Sequence, residues 1–328
     1  MKNYNNLILL TLFLILIIFS SFSSCCIFEN KKDYKELMRQ FVIKISEYAK
    51  SLNSNFIIIP QNGGEILTKD GTENSDPAIE YLNAIDGVAR EDFFYGYYSD
   101  DVETPESERL YMLSFLNIAK NNGKKVLVID YCSTKENIDY SYQQNNLLGF
   151  ISFAADHRQL DNIPVYPEKP YNENTEDINS LYNAKNFLYI INPSGFSDKQ
   201  QFLNTLKNTN FDIIVIDLFF NDQILTNSDI QQLKTKKDGG KRLVICYMSI
   251  GEAEDYRYYW QESWYTNPPS FLSAENPDWP GNYKVKYWDP LWQAIIFGND
   301  DSYLKKILDA GFDGVYLDII DAFEYFEN

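Results

Sequence analysis

Apolar residues along this chain recur in two patterns, short continuous runs and longer stretches with helical spacing. The runs FIIIPQNGG (56–64) and KKVLVIDYC (124–132) have the length and β-branched content that are typical of buried strands. The segment KELMRQFVIKISEYAKSL (35–52) instead repeats its apolar residues every three or four positions, which predicts an amphipathic helix. Because strand-like and helical segments alternate, the pattern predicts βα units and a parallel sheet.

Eight principal strands are predicted in this way. They lie at 56–64, 84–92, 124–132, 187–192, 211–219, 241–251, 282–288 and 311–320, and GFISFAA (149–155) is a further apolar run. The polar segment 161–186 holds three of the 12 prolines and is the best candidate for a linker. It divides the principal strands into a group of three and a group of five.

One closed sheet explains this division of the strands better than two separate sheets do. Separate sheets of three and five parallel strands would leave exposed edges, whereas a closed sheet has none. We therefore predict an α/β fold, a single TIM-like (β/α)8 barrel over residues 31–328. In it, residues 31–160 supply three βα units and residues 187–328 supply five.

The first 26 residues predict a targeting segment outside the barrel. Lys2 precedes an apolar run from Leu7 to Phe19, which is shorter than the ~20 residues of a spanning helix but typical of a signal peptide. Ser23-Ser24-Cys25 then resembles a lipoprotein cleavage site, so a lipid anchor at Cys25 and an uncleaved membrane anchor both stay open. We expect an exported protein, either extracellular or attached to the outer face of the cytoplasmic membrane.

Charge and composition exclude several functional classes. With 29 Lys and Arg against 47 Asp and Glu, the formal charge of -18 argues against a nucleic-acid partner. The chain has one histidine, His157, and its two cysteines beyond the targeting segment, Cys132 and Cys246, lie in apolar runs. We therefore expect no metal, no cofactor and no Ser-His-Asp triad.

Acidic residues stand at the ends of five predicted strands, where parallel barrels carry their active sites. These residues are Glu91, Asp130, Asp217, Glu252 and Asp318, with Asp321 just beyond the last. Any one of them alone is more often a helix cap or a solvated loop acid. Their recurrence favours a site, and a pair of carboxylates flanking the scissile bond is what glycoside hydrolysis requires.

Three long motifs make the chain similar to a known family. YMSIGEAEDYRYYW (247–260), NPDWPGNYKVKYWDPLW (276–292) and GFDGVYLDIIDAFEYF (311–326) closely resemble the glycoside hydrolase family 114-like barrels, which include endo-α-1,4-polygalactosaminidases. The segments IIIPQNGGE (57–65) and IDGVARED (85–92) share the resemblance. It therefore extends over nearly all of the chain after the targeting segment.

The resemblance implies roles for individual residues. Asp318 would be the nucleophile or the carboxylate that stabilises positive charge, and Glu91 would be the general acid. Glu252 is the strongest alternative for a catalytic role, because SIGEAE follows a strand directly. The expected substrate contacts are Gln61, Asn62, Asp130, Tyr131, Asp217, Tyr247, Glu252, Tyr287 and Asp321.

One departure from the family concerns the order of its segments. In the family, the segments like 57–65 and 85–92 follow the segment like 311–321, whereas here they precede it. We therefore predict a circularly permuted barrel, in which Asn328 lies near Asp33 and Asp318 faces Glu91 across one cleft. The expected function is hydrolysis of an α-linked, galactosamine-containing polysaccharide; the alternative is a surface lipoprotein that binds carbohydrate without cleaving it.

Overall fold

Parallel strands, buried at nearly every position, form the centre of the structure. The computed structural model describes residues 32–327, so the predictions for residues 1–26 and for Asn328 lie outside the described residues. The strands are β1 (Ile57–Pro60), β2 (Gly87–Glu91), β3 (Lys125–Tyr131), β4 (Ile151–Ala155), β5 (Phe187–Tyr189), β6 (Ile213–Ile216), β7 (Phe219–Phe220), β8 (Gln223–Ile224), β9 (Leu243–Ser249), β10 (Glu252–Glu254), β11 (Leu272–Glu275), β12 (Asn282–Val285) and β13 (Gly314–Asp318).

Helices separate most of the parallel strands, as the alternating pattern predicts. They are α1 (Tyr34–Leu52), α2 (Ile79–Ala84), α3 (Glu106–Asn121), α4 (Lys135–Leu147), α5 (Lys199–Lys207), α6 (Asn227–Leu233), α7 (Pro290–Ile296), α8 (Tyr303–Ala310) and α9 (Phe323–Glu327). Each of the longer helices turns an apolar face to the core, and in α1 this face includes Phe41 and Ile45, both without exposed surface. Among the described residues, every helix is too short or too polar to span a bilayer.

Two parallel sheets lie side by side. One has the strand order β1-β13-β9-β6-β5, and the other has the order β2-β3-β4. A parallel bridge between Gln61 and Ala89 joins β1 to β2, and the ring of Phe153 on β4 lies 6.1 Å from the ring of Phe187 on β5. The mixed α/β architecture with a parallel sheet is thus confirmed and is consistent with a TIM-like fold, although within residues 32–327 no ladder of hydrogen bonds joins β4 to β5.

The prediction of a parallel strand at 282–288 is wrong. Asn282–Val285 (β12) pairs antiparallel with β10 and β11 in a separate three-stranded sheet. Only Val285 of this strand is buried, because polar and apolar residues alternate along it, as in an antiparallel strand with one solvated face. The run GFISFAA supplies the missing parallel strand, since every residue of β4 is buried. Four parallel strands therefore lie on each side of the predicted linker.

Helix α1 packs beside α9, from the other end of the described chain. The rings of Tyr34 and Phe326 lie 5.6 Å apart, and Lys35 forms an ion pair with Glu327. Strand β1, which follows α1, pairs in parallel with β13, which precedes α9. Residues 34–60 thus pack beside β13 and the helix that follows it.

The predicted linker is fixed to the sheet by a buried ion pair. Lys236 and Asp212 have no exposed side-chain surface, and their Nζ and Oδ1 atoms lie 3.2 Å apart. Lys236 Nζ also donates to the carbonyl oxygen of Asn174, at 2.8 Å, which connects residues 161–186 to the start of β6.

Replacing Lys236 by Met is expected to destabilise the protein by about 3–5 kcal/mol, because it leaves the Asp212 carboxylate buried without its cation. Urea unfolding at neutral pH measures the change. Lys237→Met is the matched control: Lys237 is exposed, so its free energy of unfolding should change by less than about 0.5 kcal/mol. Equal effects of the two substitutions would contradict this role of the ion pair.

Candidate active site

Asp318 and Glu91 come together at the carboxyl ends of neighbouring strands. Asp318 ends β13 and Glu91 ends β2, and β1 lies between these two strands. Gln61, which follows β1, donates from one amide nitrogen, Nε2, to Glu91 Oε2 at 2.8 Å and to Asp318 Oδ1 at 3.1 Å. The structure therefore brings the two predicted catalytic carboxylates into one site.

The shared donor limits the distance between the two carboxylates. Their nearest oxygens cannot be farther apart than the sum of their distances to Gln61 Nε2, 2.8 and 3.1 Å. That limit is below the ~6.5–9.5 Å separation of inverting glycosidases and near the ~5–5.5 Å separation of retaining ones. The nearest oxygens are thus closer together than the arrangement with an intervening water requires.

Glu91 accepts hydrogen bonds on both oxygens. The Tyr131 hydroxyl donates to Oε1, and Asn62 Nδ2 donates to Oε2 at 3.1 Å. Asn62 also accepts the backbone N–H of Glu91 on its own Oδ1, at 3.2 Å. Its φ of 63° lies in the left-handed region, which asparagine tolerates better than most residues. The turn after β1 thus aims two amide side chains, Gln61 and Asn62, at the same carboxylate.

Asp318 is likewise surrounded by donors. The Tyr247 hydroxyl donates to Oδ2 at 2.7 Å, and the backbone N–H of Ile319 donates to Oδ1 at 2.8 Å. Burial, and secondly the charge of Glu91, nevertheless raises the pKa of Asp318 to about 8. With its pKa raised to about 8, Asp318 is protonated at neutral pH.

Buried tyrosines form the floor beneath the pair. Tyr316 lies two residues before Asp318 on β13, so both side chains point to the same side of the strand. Its ring lies 5.0 Å from that of Tyr189 on β5, and both residues are fully buried. Burial and the charges of the pair raise the pKa of Tyr316 well above its ordinary value. The two rings thus bury the inner side of the pair.

A cavity of about 270 Å³ lies behind Asn62, and neither Glu91 nor Asp318 lines it. Arg90, Tyr111 and Asp321 are among its lining residues. Asp321 therefore lies beside the pair rather than in it, and burial raises the pKa of its carboxyl. Within residues 32–327, no cluster of three or more Asp, Glu, His or Cys side chains has the arrangement of a metal site.

Asp130 is not part of the cleft, so the prediction of a substrate contact there is wrong. It has no exposed surface. Its carboxylate accepts from the backbone N–H of Phe94 at 2.7 Å, from Ser141 Oγ at 2.6 Å and from Asn145 Nδ2 at 3.0 Å. Asp130 therefore fixes the loop after β2 to α4.

Glu252, the predicted alternative for a catalytic role, is also buried and bound by partners outside the carboxylate pair. Its carboxylate accepts from Asn276 Nδ2 at 2.8 Å and from Asn282 Nδ2 at 3.2 Å, and it lies 2.6 Å from Lys284 Nζ. With no exposed surface, Glu252 instead holds the hairpin of β11 and β12 against β10.

Asp217 and Tyr287, two further predicted substrate contacts, bind partners inside the protein. Arg257 binds both oxygens of Asp217, at 2.9 and 2.7 Å, in a buried ion pair. Tyr287 has no exposed surface, and its hydroxyl donates to the carbonyl oxygen of Tyr34 at 2.7 Å. Both residues stabilise the fold around the site rather than contacting its cleft.

Of the predicted site residues, the structure thus gathers six around one centre. They are Gln61, Asn62, Glu91, Tyr131, Tyr247 and Asp318. The sequence prediction missed Tyr316 and Tyr189, although the spacing of Tyr316 from Asp318 on one strand was a signal for the first. It also missed Arg158, which contacts the ring of Tyr131.

Comparison with known proteins bears on one of the two carboxylates, Asp318. Residues 174–328 match the model of glycoside-hydrolase family GH114, a range that contains Asp318 but not Glu91. An uncharacterized protein of Methanocaldococcus jannaschii is 41% identical over 180 residues, which cover 54% of this chain and 49% of that protein. An uncharacterized protein of Thermotoga maritima is 46% identical over 120 residues, 37% of this chain and 36% of that protein.

A third relative, an uncharacterized protein of Deinococcus radiodurans, is 41% identical over 126 residues, 38% of each chain. The chain thus spans about half or less of the length of these curated relatives. Their names state no activity, whereas the match to the GH114 model states a family and includes the strand that ends in Asp318. Residues 174–328 of the chain are thus similar to glycoside-hydrolase family GH114, and this range includes the motifs around Asp318.

Proposed function

We propose that the protein hydrolyses a glycosidic bond with Asp318 and Glu91 as its pair of carboxylates. One observation carries the proposal: both carboxylates accept a hydrogen bond from the same nitrogen, Gln61 Nε2. Similarity to family GH114 supports glycoside hydrolysis in general. The convergence of the pair also favours catalysis over the alternative of a lipoprotein that only binds carbohydrate, in which the two acids need not meet.

The spacing of the pair supports a double displacement with retention of configuration. In this mechanism Asp318 attacks the anomeric carbon while Glu91 gives its proton to the oxygen of the leaving sugar. Water then attacks the glycosyl-enzyme bond, Glu91 takes a proton from that water, and Asp318 is released. Tyr247 and Ile319 N–H, which donate to Asp318, stabilise it as a carboxylate when it leaves the sugar.

The proton must be on Glu91 when the leaving group departs, whereas burial favours it on Asp318 in the free protein. We propose that bound substrate moves it. Positive charge that develops at the anomeric carbon favours an ionised Asp318, and the short distance between the two acids allows the proton to pass to Glu91.

An α-linked polysaccharide that contains galactosamine is the substrate class that we propose. The resemblance to polygalactosaminidases supports it, and so does the formal charge of -18, because an acidic protein attracts protonated amines. Export follows as a proposal from the sequence of residues 1–26, since an extended polysaccharide of this kind lies outside the cell.

We also propose that the parallel strands form a closed, circularly permuted barrel. The spatial order β5-β6-β9-β13-β1-β2-β3-β4 supports closure, with Phe153 on β4 packed against Phe187 on β5. The family match begins at residue 174, just before β5, which supports a family order that starts there and continues from β13 into β1.

Glu91→Gln and Asp318→Asn are each expected to lower kcat by at least ~100-fold, because each removes a group that transfers a proton or forms a bond. Release of reducing ends from α-1,4-linked polygalactosamine measures the loss, beside a panel of other hexosamine polymers. Asp278→Asn, which changes an exposed acid, should keep full activity. Absence of hydrolysis by the wild type on every polymer, or unchanged rates in both variants, would sink the proposal.

The reaction is expected to retain the anomeric configuration, which proton NMR of the first-formed product detects. Azide distinguishes the two roles. In Glu91→Ala, azide should restore turnover and give a glycosyl azide of retained configuration, whereas in Asp318→Ala it should give the inverted azide. The opposite pattern would exchange the roles of the two acids, and an inverted product from the wild type would refute the double displacement.

Asp318→Asn is expected to stabilise the fold at neutral and alkaline pH. The unfolded chain releases the Asp318 proton near the ordinary pKa of 3.8, while the folded chain retains it to about 8, so the wild-type free energy of unfolding falls as pH rises between these values. The gain in the variant should be small at pH 4 and exceed about 1 kcal/mol at pH 8. Urea unfolding at several pH values tests this, and a gain independent of pH would contradict the raised pKa.

A further inference from the structure

Arg158 is separated from the carboxylate pair by one intervening residue, Tyr131. It lies in a segment whose sequence is typical of a protein surface. It follows β4 by three positions, and its side chain is 35% exposed. The guanidinium carbon lies 4.2 Å from the centre of the Tyr131 ring. Tyr131 in turn donates its hydroxyl to Glu91 Oε1. Arg158 thus contacts a residue that contacts Glu91, without a contact of its own to the pair.

The same guanidinium fixes the loop that follows β2. Nη2 donates to Asp92 Oδ1 at 2.7 Å and to the carbonyl oxygen of Gly96, and Nε lies 2.8 Å from Asp100 Oδ1. The backbone N–H of Arg158 donates to Asp100 Oδ2 at 3.2 Å. One side chain therefore holds both ends of residues 92–100, directly after Glu91.

The loop is built to admit this arrangement. Gly96 has a φ of 121°, and a Cβ there would lie 2.2 Å from Asp92 Oδ1 and 3.1 Å from both Arg158 Nη2 and Tyr131 Cδ2. Only glycine allows Asp92, Arg158 and the Tyr131 ring to close around this point. The loop returns to the strand through Asp101 N–H, which donates to the carbonyl oxygen of Tyr131 at 2.9 Å.

Arginine suits this place better than lysine does. Its planar group can lie flat on the Tyr131 ring while its edge donates to Asp92 and Gly96 at the same time. Its charge also forms ion pairs with two carboxylates, Asp92 and Asp100. Without that cation, repulsion between Glu91 and Asp92 would push apart the groups that border the cleft.

We propose that Arg158 is a positioning residue for Glu91. It holds the Tyr131 ring and the 92–100 loop so that the Tyr131 hydroxyl stays on the Glu91 carboxylate through the proton transfers of the reaction. This inference rests on the proposed hydrolase function. The contacts of Arg158 do not depend on that function, so they can be tested without substrate.

The first test follows Tyr131 itself, in the full chain with carbon-13 at the tyrosine Cζ atoms. Loss of one signal in Tyr131→Phe assigns its resonance. Arg158→Met is expected to move this resonance and Arg158→Lys to move it less, because lysine keeps the charge but not the flat contact. Arg109→Met is the matched control, since Arg109 lies 5.5 Å over Phe94 of the same loop. An unchanged Tyr131 resonance in Arg158→Met would overturn the proposal.

The second test measures coupling in catalysis. Arg158→Met is expected to lower kcat about tenfold with KM nearly unchanged, and the double variant with Tyr131→Phe should be no slower than the slower single variant. Multiplied losses would show that Arg158 does not act through Tyr131 and would overturn the proposal. If Arg158→Met does not fold, Arg158→Lys takes its place in the cycle. If the wild type hydrolyses no polymer, the proposed function fails, and the Tyr131 resonance alone decides the role of Arg158.

Discussion

The parallel register of β13, β1 and β2 is the constraint on which the site depends. Tyr316 pairs with Ile59 and Leu317 with Pro60, so the residues that follow, Asp318 and Gln61, emerge at the same level. The bridge from Gln61 to Ala89 then places Glu91 two residues further along the next strand, on the same face as Ala89. Because side chains alternate between the two faces of a strand, a shift by one residue would turn either acid away from the other.

Buried charge is treated in two different ways in this protein. Glu252 and Asp217 are each neutralised by a cation on a neighbouring segment, and their burial adds rigidity around the sheet. Asp318 and Glu91 have amide and hydroxyl donors but no cation within salt-bridge distance among the described residues. The pair therefore holds buried negative charge without a cation. A proton on one acid lowers the free-energy cost of that charge, and a positive charge that develops nearby would lower it too.

The sequence predicts the parallel strands well, because strands buried on both faces must be apolar throughout. It fails at Asn282–Val285. The alternating lysines there are typical of a half-exposed strand, whereas the aromatic residues of the run favour a buried one. It also does not separate Asp130 from Glu91, since both are acids at strand ends. The pairing of β2 with β3 decides the difference: Glu91 lies opposite Ile129, so Asp130, the next residue, points to the other face, toward α4. Arg158 escaped prediction because its partners are far away in sequence.

The pairing of β1 with β13 joins segments more than 250 residues apart, and this has a consequence for biosynthesis. Strand β1 leaves the ribosome long before β13 and carries an unpaired parallel edge until β13 follows. During that interval Gln61 and Glu91 exist without Asp318. The two carboxylates therefore meet only when β13 docks, which makes their site one of the last features of the sheet to form.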